Sequence, residues 1–576
     1  MQISKINGNN NKIIKFMKVA FLFGHANEID FVWVLCNAVM ITVGLRYLDI
    51  IKTFLCVLFF VISVFGEPRV DPLVLISSQG LVRGHRATDG DYSMFLGVPY
   101  AQVDPENPFG PSHARQPFQE IIFDANDGTI KCPQMGFSNS ETLDCLRLNI
   151  FVPFKASSNS PLPVLVWIHG GDFVRGSAGD YGVKNLVRHD VVVVTVNYRL
   201  GPYGFMCLDN PSVPGNQGLK DQYAALVWIR KNIASFGGNP YNVTIAGQDA
   251  GAASVLLHLY ADNTKLFHKI IVESGTPQSE GMFVNADVNA AIMIVQHLGV
   301  NTTDTDEALR FLISTPHDLV TAAAHEVNVK LGPCKERSFS GIENFVENDP
   351  YALTNTKKVR NTPVLIGYTN RERDSLSNDY FDTDPFYEKL RNNFNLNGVE
   401  LQNAATFVRR FYIGYDPVSE KVARELENFE TDFVFSHPSE RIVTGLFEES
   451  VGSVYEYVFS YGGSSSAQGA GHSAELNYLF DIEGVNLKRS EDDQLITDRI
   501  TTLWTNFIKY GNPTPQTTDL IPVRWTPVTA SNRPTLVIDT DIRMDSRVQN
   551  QRMAFWDLFY SMYGSYSNLA RECVFE

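Results

Sequence analysis

Short apolar runs rich in β-branched residues recur along the chain. Pro163 to His169 reads Pro-Val-Leu-Val-Trp-Ile-His, and Val191 to Val196 is apolar except for Thr195. Asn242 to Ala246, Lys269 to Glu273, Pro363 to Gly367, Val454 to Phe459 and Thr535 to Asp539 continue the series. Continuous runs of this length predict strands buried on both faces. Between them, Asp221 to Ile233 places Tyr223, Leu226, Val227, Ile229 and Ile233 at helical spacing. Strand and helix in alternation predict an α/β fold, a large and mostly parallel sheet with helices on both faces. The segments Ser157 to Ser160 and Gly462 to Ser466 are loop-sized, so one domain is expected over residues 67–576.

The pattern before residue 67 is different. Two apolar runs, Phe31 to Leu45 and Phe54 to Phe65, are each shorter than the ~20 residues a comfortable membrane span needs. The second follows Lys52 and ends Val64-Phe65-Gly66, the pattern of a secretory signal peptide over about residues 51–66. Residues 1–66 are therefore read as a leader, with Met40 as a candidate true start. The alternative is a retained anchor, the only route to a membrane that the sequence offers. A secreted, extracellular protein is expected.

One strand leads into the most informative position. Asn242-Val-Thr-Ile-Ala-Gly-Gln-Asp249-Ala-Gly-Ala predicts a strand, a sharp turn and a helix start. That is the context of the G-x-S-x-G nucleophile elbow of the α/β-hydrolase fold, with Gly247 and Gly251 at the tight positions. The residue between them should carry the attacking hydroxyl, and here it is Asp249.

Several longer motifs agree with that fold. Phe95-Leu-Gly-Val-Pro-Tyr-Ala101, Asp144-Cys-Leu-Arg-Leu-Asn149, Gly215 to Gln222, Phe236-Gly-Gly-Asn-Pro240 and Trp504-Thr-Asn-Phe507 resemble the type-B carboxylesterases, the family of cholinesterases and insect juvenile hormone esterases. The resemblance covers residues 74 to 560. It implies a triad whose His is His472, in Gly469-Ala-Gly-His-Ser-Ala-Glu-Leu, and whose acid is Glu372, in Gly367-Tyr-Thr-Asn-Arg-Glu. The Gly that follows the family acid is Arg373 here, so the loop is expected either to be displaced or to carry an Arg–carboxylate pair. His169-Gly-Gly-Asp172-Phe resembles the oxyanion-hole loop, which implies backbone donors at Gly171, Asp172 and Ala250.

Both departures bear on chemistry. Asp249 attacks an ester carbonyl poorly, because the product is a mixed anhydride and no proton is available for His472 to remove. The plain reading is a buried ion pair between Asp249 and His472. Asp172 is expected to bring bulk and negative charge into the oxyanion hole, where loss of one donor costs about 2.7–4 kcal/mol. The function read from this is a secreted pseudo-esterase that binds a small apolar, ester-like ligand or an extracellular protein. The alternatives are weak or atypical ester hydrolysis, and hydrolysis of epoxide-like substrates with Asp249 as nucleophile.

Composition narrows the partners. Of 576 residues, 64 are acidic and 48 basic, for a net charge of −16, which argues against nucleic acid. No cofactor or metal is expected. Seven cysteines include Cys36 and Cys56 in the leader. Cys132 and Cys145 bracket a short loop and are the expected disulfide, also implied by the resemblance. Cys207, Cys334 and Cys573 are left without an assigned fate, at least one of them free or paired between chains. The sequons at Asn301 and Asn242 are candidate glycosylation sites, Asn301 in a polar loop and Asn242 at a strand entrance. The oligomeric state stays open.

Overall fold

The computed structural model describes residues 72–569, apart from 137–140, 450–451, 464–467, 483–488 and 530. The leader, the signal-peptide segment and Cys573 lie outside the described residues.

The apolar runs become an eleven-stranded sheet. Its strands are β1 (His85–Arg86), β2 (Tyr92–Pro99), β3 (Arg147–Pro153), β4 (Leu162–Ile168), β5 (Val192–Val196), β6 (Gly238–Gln248), β7 (Lys269–Glu273), β8 (Val364–Thr369), β9 (Val454–Phe459), β10 (Pro534–Ile538) and β11 (Arg543–Ser546). They lie in the order β11-β10-β9-β8-β7-β6-β4-β5-β3-β2-β1. From β5 to β10 every pairing is parallel. The pairings beyond, β5–β3, β3–β2, β2–β1 and β10–β11, are antiparallel. The antiparallel edges were not predicted: β1 is two residues long, and β11 is mostly exposed and polar, so neither carries an apolar run.

The central strands are buried throughout, as continuous β-branched runs require. Helices cover both faces. α1 (Gln217–Asn232) occupies the span predicted as helical, with Leu219, Leu226 and Ile229 buried. α2 (Ala250–Tyr260) begins directly after β6 and is wholly buried. α3 (Glu491–Tyr510) is started by a reciprocal cap, Ser490 with Asp493, and stopped by left-handed Gly511. Its Trp504 packs on Tyr457 of β9.

Two disulfides close loops around this frame. Cys132–Cys145 forms as expected. Cys207–Cys334, 127 residues apart in sequence, was not anticipated. Asn216 also joins the two loops, accepting from the Cys334 N–H at 3.0 Å and donating to its carbonyl at 2.7 Å. No helix among the described residues is long and apolar enough to cross a membrane.

Candidate active site

The three positions implied for the triad stand at the carboxyl ends of parallel strands. Asp249 directly follows β6, Glu372 lies three residues beyond β8, and His472 sits in the loop after β9. In open α/β sheets this end of the strands is where ligands bind.

The elbow is built as its glycines predict. Asp249 has φ 56° and ψ −123°, a conformation that L-residues rarely adopt. A Cβ on Gly251 would lie 2.0 Å from the Ile168 carbonyl oxygen, and one on Gly247 would lie 2.5 Å from the Gly251 carbonyl carbon. Only glycine permits that approach of strand and helix. The strain is held by a bond from the Asp249 N–H to the Glu273 carbonyl at 2.9 Å.

The Asp249 carboxylate occupies the oxyanion hole. Its Oδ2 accepts from the Gly171 N–H at 2.9 Å and from the Asp172 N–H at 3.1 Å. Its Oδ1 faces His472, 3.9 Å from Nε2, at the limit of an ion pair. The expected pairing of Asp249 with His472 is present through Oδ1 alone, and the hydrogen bonds of the carboxylate go through Oδ2 to the backbone, which was not expected. Backbone donors already converge there, and a carboxylate is one bond longer than a serine hydroxyl. Ala250, the third implied donor, opens α2 as its first residue.

The hole is formed by a run of unusual backbone, with Gly171 at φ 105°, Asp172 at 54° and Phe173 at 63°. Phe173 is fully buried against Phe205 and anchors the loop. Asp172 does not fill the hole as expected. Its side chain is 61% exposed and lies 3.5 Å from Arg175, because the left-handed backbone turns the Cβ outward while the N–H points in.

Glu372 and His472 meet as implied. Glu372 Oε2 lies 2.5 Å from His472 Nδ1, and its Oε1 accepts from the Thr369 N–H at 2.7 Å. Arg373 does not displace this loop. Its N–H donates to Thr431 at 3.1 Å and its guanidinium lies over the Phe435 ring, while Phe435 in turn packs on the His472 ring. The expected Arg–carboxylate pair belongs to the neighbouring Arg371, with Glu427 at 2.8 Å.

Two further residues act on the imidazole, Gln248 and Glu475, and neither has a role among the motifs. Gln248 Nε2 lies 2.9 Å from His472 Nε2. With Nδ1–H given to Glu372, neutral His472 accepts from that amide, and a protonated ring requires the amide to present its oxygen. Glu475 and its neighbour Glu273 are fully buried, and Trp504 donates to Glu273 at 2.7 Å. Burial and then the charge of Glu372 raise the Glu475 pKa to about 8. Burial, with Glu475 nearby, pushes Glu273 well above the usual carboxylate range. Burial pulls His472 down, but the charge and hydrogen bond of Glu372, with Asp249 and Glu475, outweigh it and raise the pKa to about 9. The signal for Glu475 was present, three residues after His472, but a buried acid reads in sequence like a solvated one. No cluster among the described residues is arranged to hold a metal ion.

The sequon positions differ in availability. Asn301 is exposed in the loop before a helix. The Asn242 amide is already engaged by Lys269 and by the Lys509 carbonyl.

The comparisons with known proteins agree with this geometry. Residues 70–556 match the model of the carboxylesterase family. Juvenile hormone esterase of Heliothis virescens is 30% identical over 534 residues, 84% of this chain and 93% of the relative. Esterase FE4 of Myzus persicae is 29% identical over 476 residues, 75% of this chain and 82% of its own length. The crystal structure of juvenile hormone esterase from Manduca sexta, with OTFP covalently attached, matches at TM-score 0.74 and 28% identity, over 85% of this chain and 100% of that one. With the α/β-hydrolase sheet, the elbow and the Glu372–His472 pair in place, the chain belongs to the carboxylesterase family.

Proposed function

We propose that this protein is a secreted member of the carboxylesterase family that does not hydrolyse carboxylic esters and acts by binding a small apolar, ester-like ligand. The single observation that carries the proposal is the Asp249 carboxylate seated on the Gly171 and Asp172 N–H groups. Ester hydrolysis needs those donors for the oxygen of the substrate carbonyl, and loss of even one costs about 2.7–4 kcal/mol in kcat. Here they are given to the protein's own side chain, and no hydroxyl stands where the attack would begin. Two disulfides and the apolar run at 54–65 support an oxidising, extracellular location. Asn301 is the proposed glycosylation site.

The test is calorimetry and product analysis with a panel of apolar methyl esters on the purified chain. Saturable binding without release of acid is expected. Acid release at turnover typical of an esterase, abolished by Asp249→Ala, contradicts the proposal.

A further inference from the structure

The same carboxylate that blocks acyl chemistry is placed for a different substitution. Asp249 Oδ2 lies in the oxyanion hole, while Oδ1 is turned to the catalytic imidazole, 3.9 Å from His472 Nε2. The two oxygens of one group therefore have different surroundings: one is held by backbone donors, and the other has none of those bonds. Going beyond the binding role, we propose that Asp249 Oδ1 attacks a ring carbon of a small apolar epoxide, and that the resulting ester on Asp249 is hydrolysed by water under His472.

Each step balances on residues already described. In the first, the new bond is Oδ1 to the epoxide carbon, and the bond that breaks is that carbon to the ring oxygen. The ring oxygen leaves as an alkoxide on the same molecule and takes a proton from His472 Nε2. Glu372, bonded to Nδ1 at 2.5 Å, favours the protonated ring that this step requires. Asp249 is now a neutral hydroxyalkyl ester. Its carbonyl oxygen is Oδ2, already between the Gly171 and Asp172 donors, so no reorganisation precedes the second step. Neutral His472 then removes a proton from water as the water oxygen bonds to Asp249 Cγ. The tetrahedral oxyanion stands at Oδ2. Its collapse breaks the bond from Cγ to the substrate-bound oxygen, and that alkoxide leaves with the proton from His472. The regenerated carboxylic acid returns its proton to His472. The sum is epoxide plus water to diol, with no oxidant, reductant or metal. An epoxide suits the site better than an alkyl halide, because only the epoxide uses the proton that His472 holds.

The test uses phenyl glycidyl ether with the purified chain in H2-18O. After one turnover the proposal places the label in the carboxyl group of Asp249, seen as a 2 Da gain on its peptide, and leaves the first diol unlabelled. His472→Gln, which supplies neither the proton for ring opening nor the base for water, should form neither diol nor an adduct on Asp249 at the native rate. Asp249→Ala should form neither. Circular dichroism and thermal melting establish that both variants fold, and the label on the unmodified chain does not depend on either variant. Label in the diol but not in Asp249, an adduct on another residue, or an adduct on the native chain that never clears would overturn the proposal. These outcomes leave the inertness toward carboxylic esters separately testable, since that rests on ester turnover alone.

Discussion

On the β8–β9 side of the site, Glu372 and His472 stand 2.5 Å apart, with the acid fixed by the Thr369 N–H and the buried Glu475 carboxyl close enough to act on the ring. On the β4–β6 side, the elbow and the hole keep their backbone geometry, but Asp249 spends the two donors of the hole on itself. The first side is organised as an esterase would need it, and the second has the frame of an esterase without its hydroxyl. The two are built on different strands and different loops. The difference teaches that strained backbone such as the left-handed Asp172 and Phe173 does not depend on a serine at the elbow, because Phe173 is core and the strain is held by packing.

The largest effect that sharpens this comparison is on stability. Cys207–Cys334 closes a loop on the elbow's side of the fold, 127 residues apart in sequence. Replacing both cysteines by Ser should destabilise by about 2–5 kcal/mol in a denaturant titration, with the His472 titration unchanged. A shift in that titration would show that the two sides are coupled.

Next in size is the imidazole itself. Burial lowers its pKa and the Glu372 contact raises it more, to about 9. In Glu372→Gln, histidine NMR should show the His472 midpoint falling by at least about one pH unit, equivalent to roughly 1.4 kcal/mol. An unmoved midpoint would mean that Glu372 does not organise the ring.

The same shift sets a pH dependence of stability. Relative to an unfolded value of 6.5, the native state holds the His472 proton more tightly. That contribution is fully present below pH 6.5 and is lost as pH rises through about 9. The raised Glu475 acts in the same direction between 4.5 and about 8, since only the native state stays protonated there. Thermal melts should therefore fall from pH 6.5 to 9, and less steeply in Glu372→Gln. A flat profile in the native chain would contradict the assignment.

The smallest effect is at Asp172. Its φ of 54° costs an L-residue about 1–2 kcal/mol, and its side chain is exposed. Asp172→Gly should relax the strain and raise stability by up to about 1 kcal/mol, since glycine also frees the unfolded chain. A loss of stability would show that the Arg175 contact matters more than the strain.

Much of this was legible in sequence because it depends on local pattern. The runs at 269–273 and 454–459 are the strands themselves, and Gly247 and Gly251 announce a turn that no side chain fits. His472 and Glu372 were reached through motifs. What escaped depends on direction and on distance along the chain. Asp172 turns outward because of a φ that residue type does not declare. Asp249 reaches the backbone donors as well as facing His472 because of side-chain length against a loop 77 residues away. Cys207 and Cys334 meet across 127 residues of sequence, in loops that Asn216 also bonds together, and no local pattern declares that contact.

The central claim is that only the nucleophile side has changed. Hydrolysis of p-nitrophenyl butyrate by the native chain, Asp249→Ser, His472→Gln and the double variant tests it in one cycle. The account predicts a native chain near background, a rise in kcat/KM on the order of 10²-fold or more in Asp249→Ser, and loss of that gain when His472→Gln is added. Native turnover that Asp249→Ser does not improve, or a gain that survives His472→Gln, would contradict it.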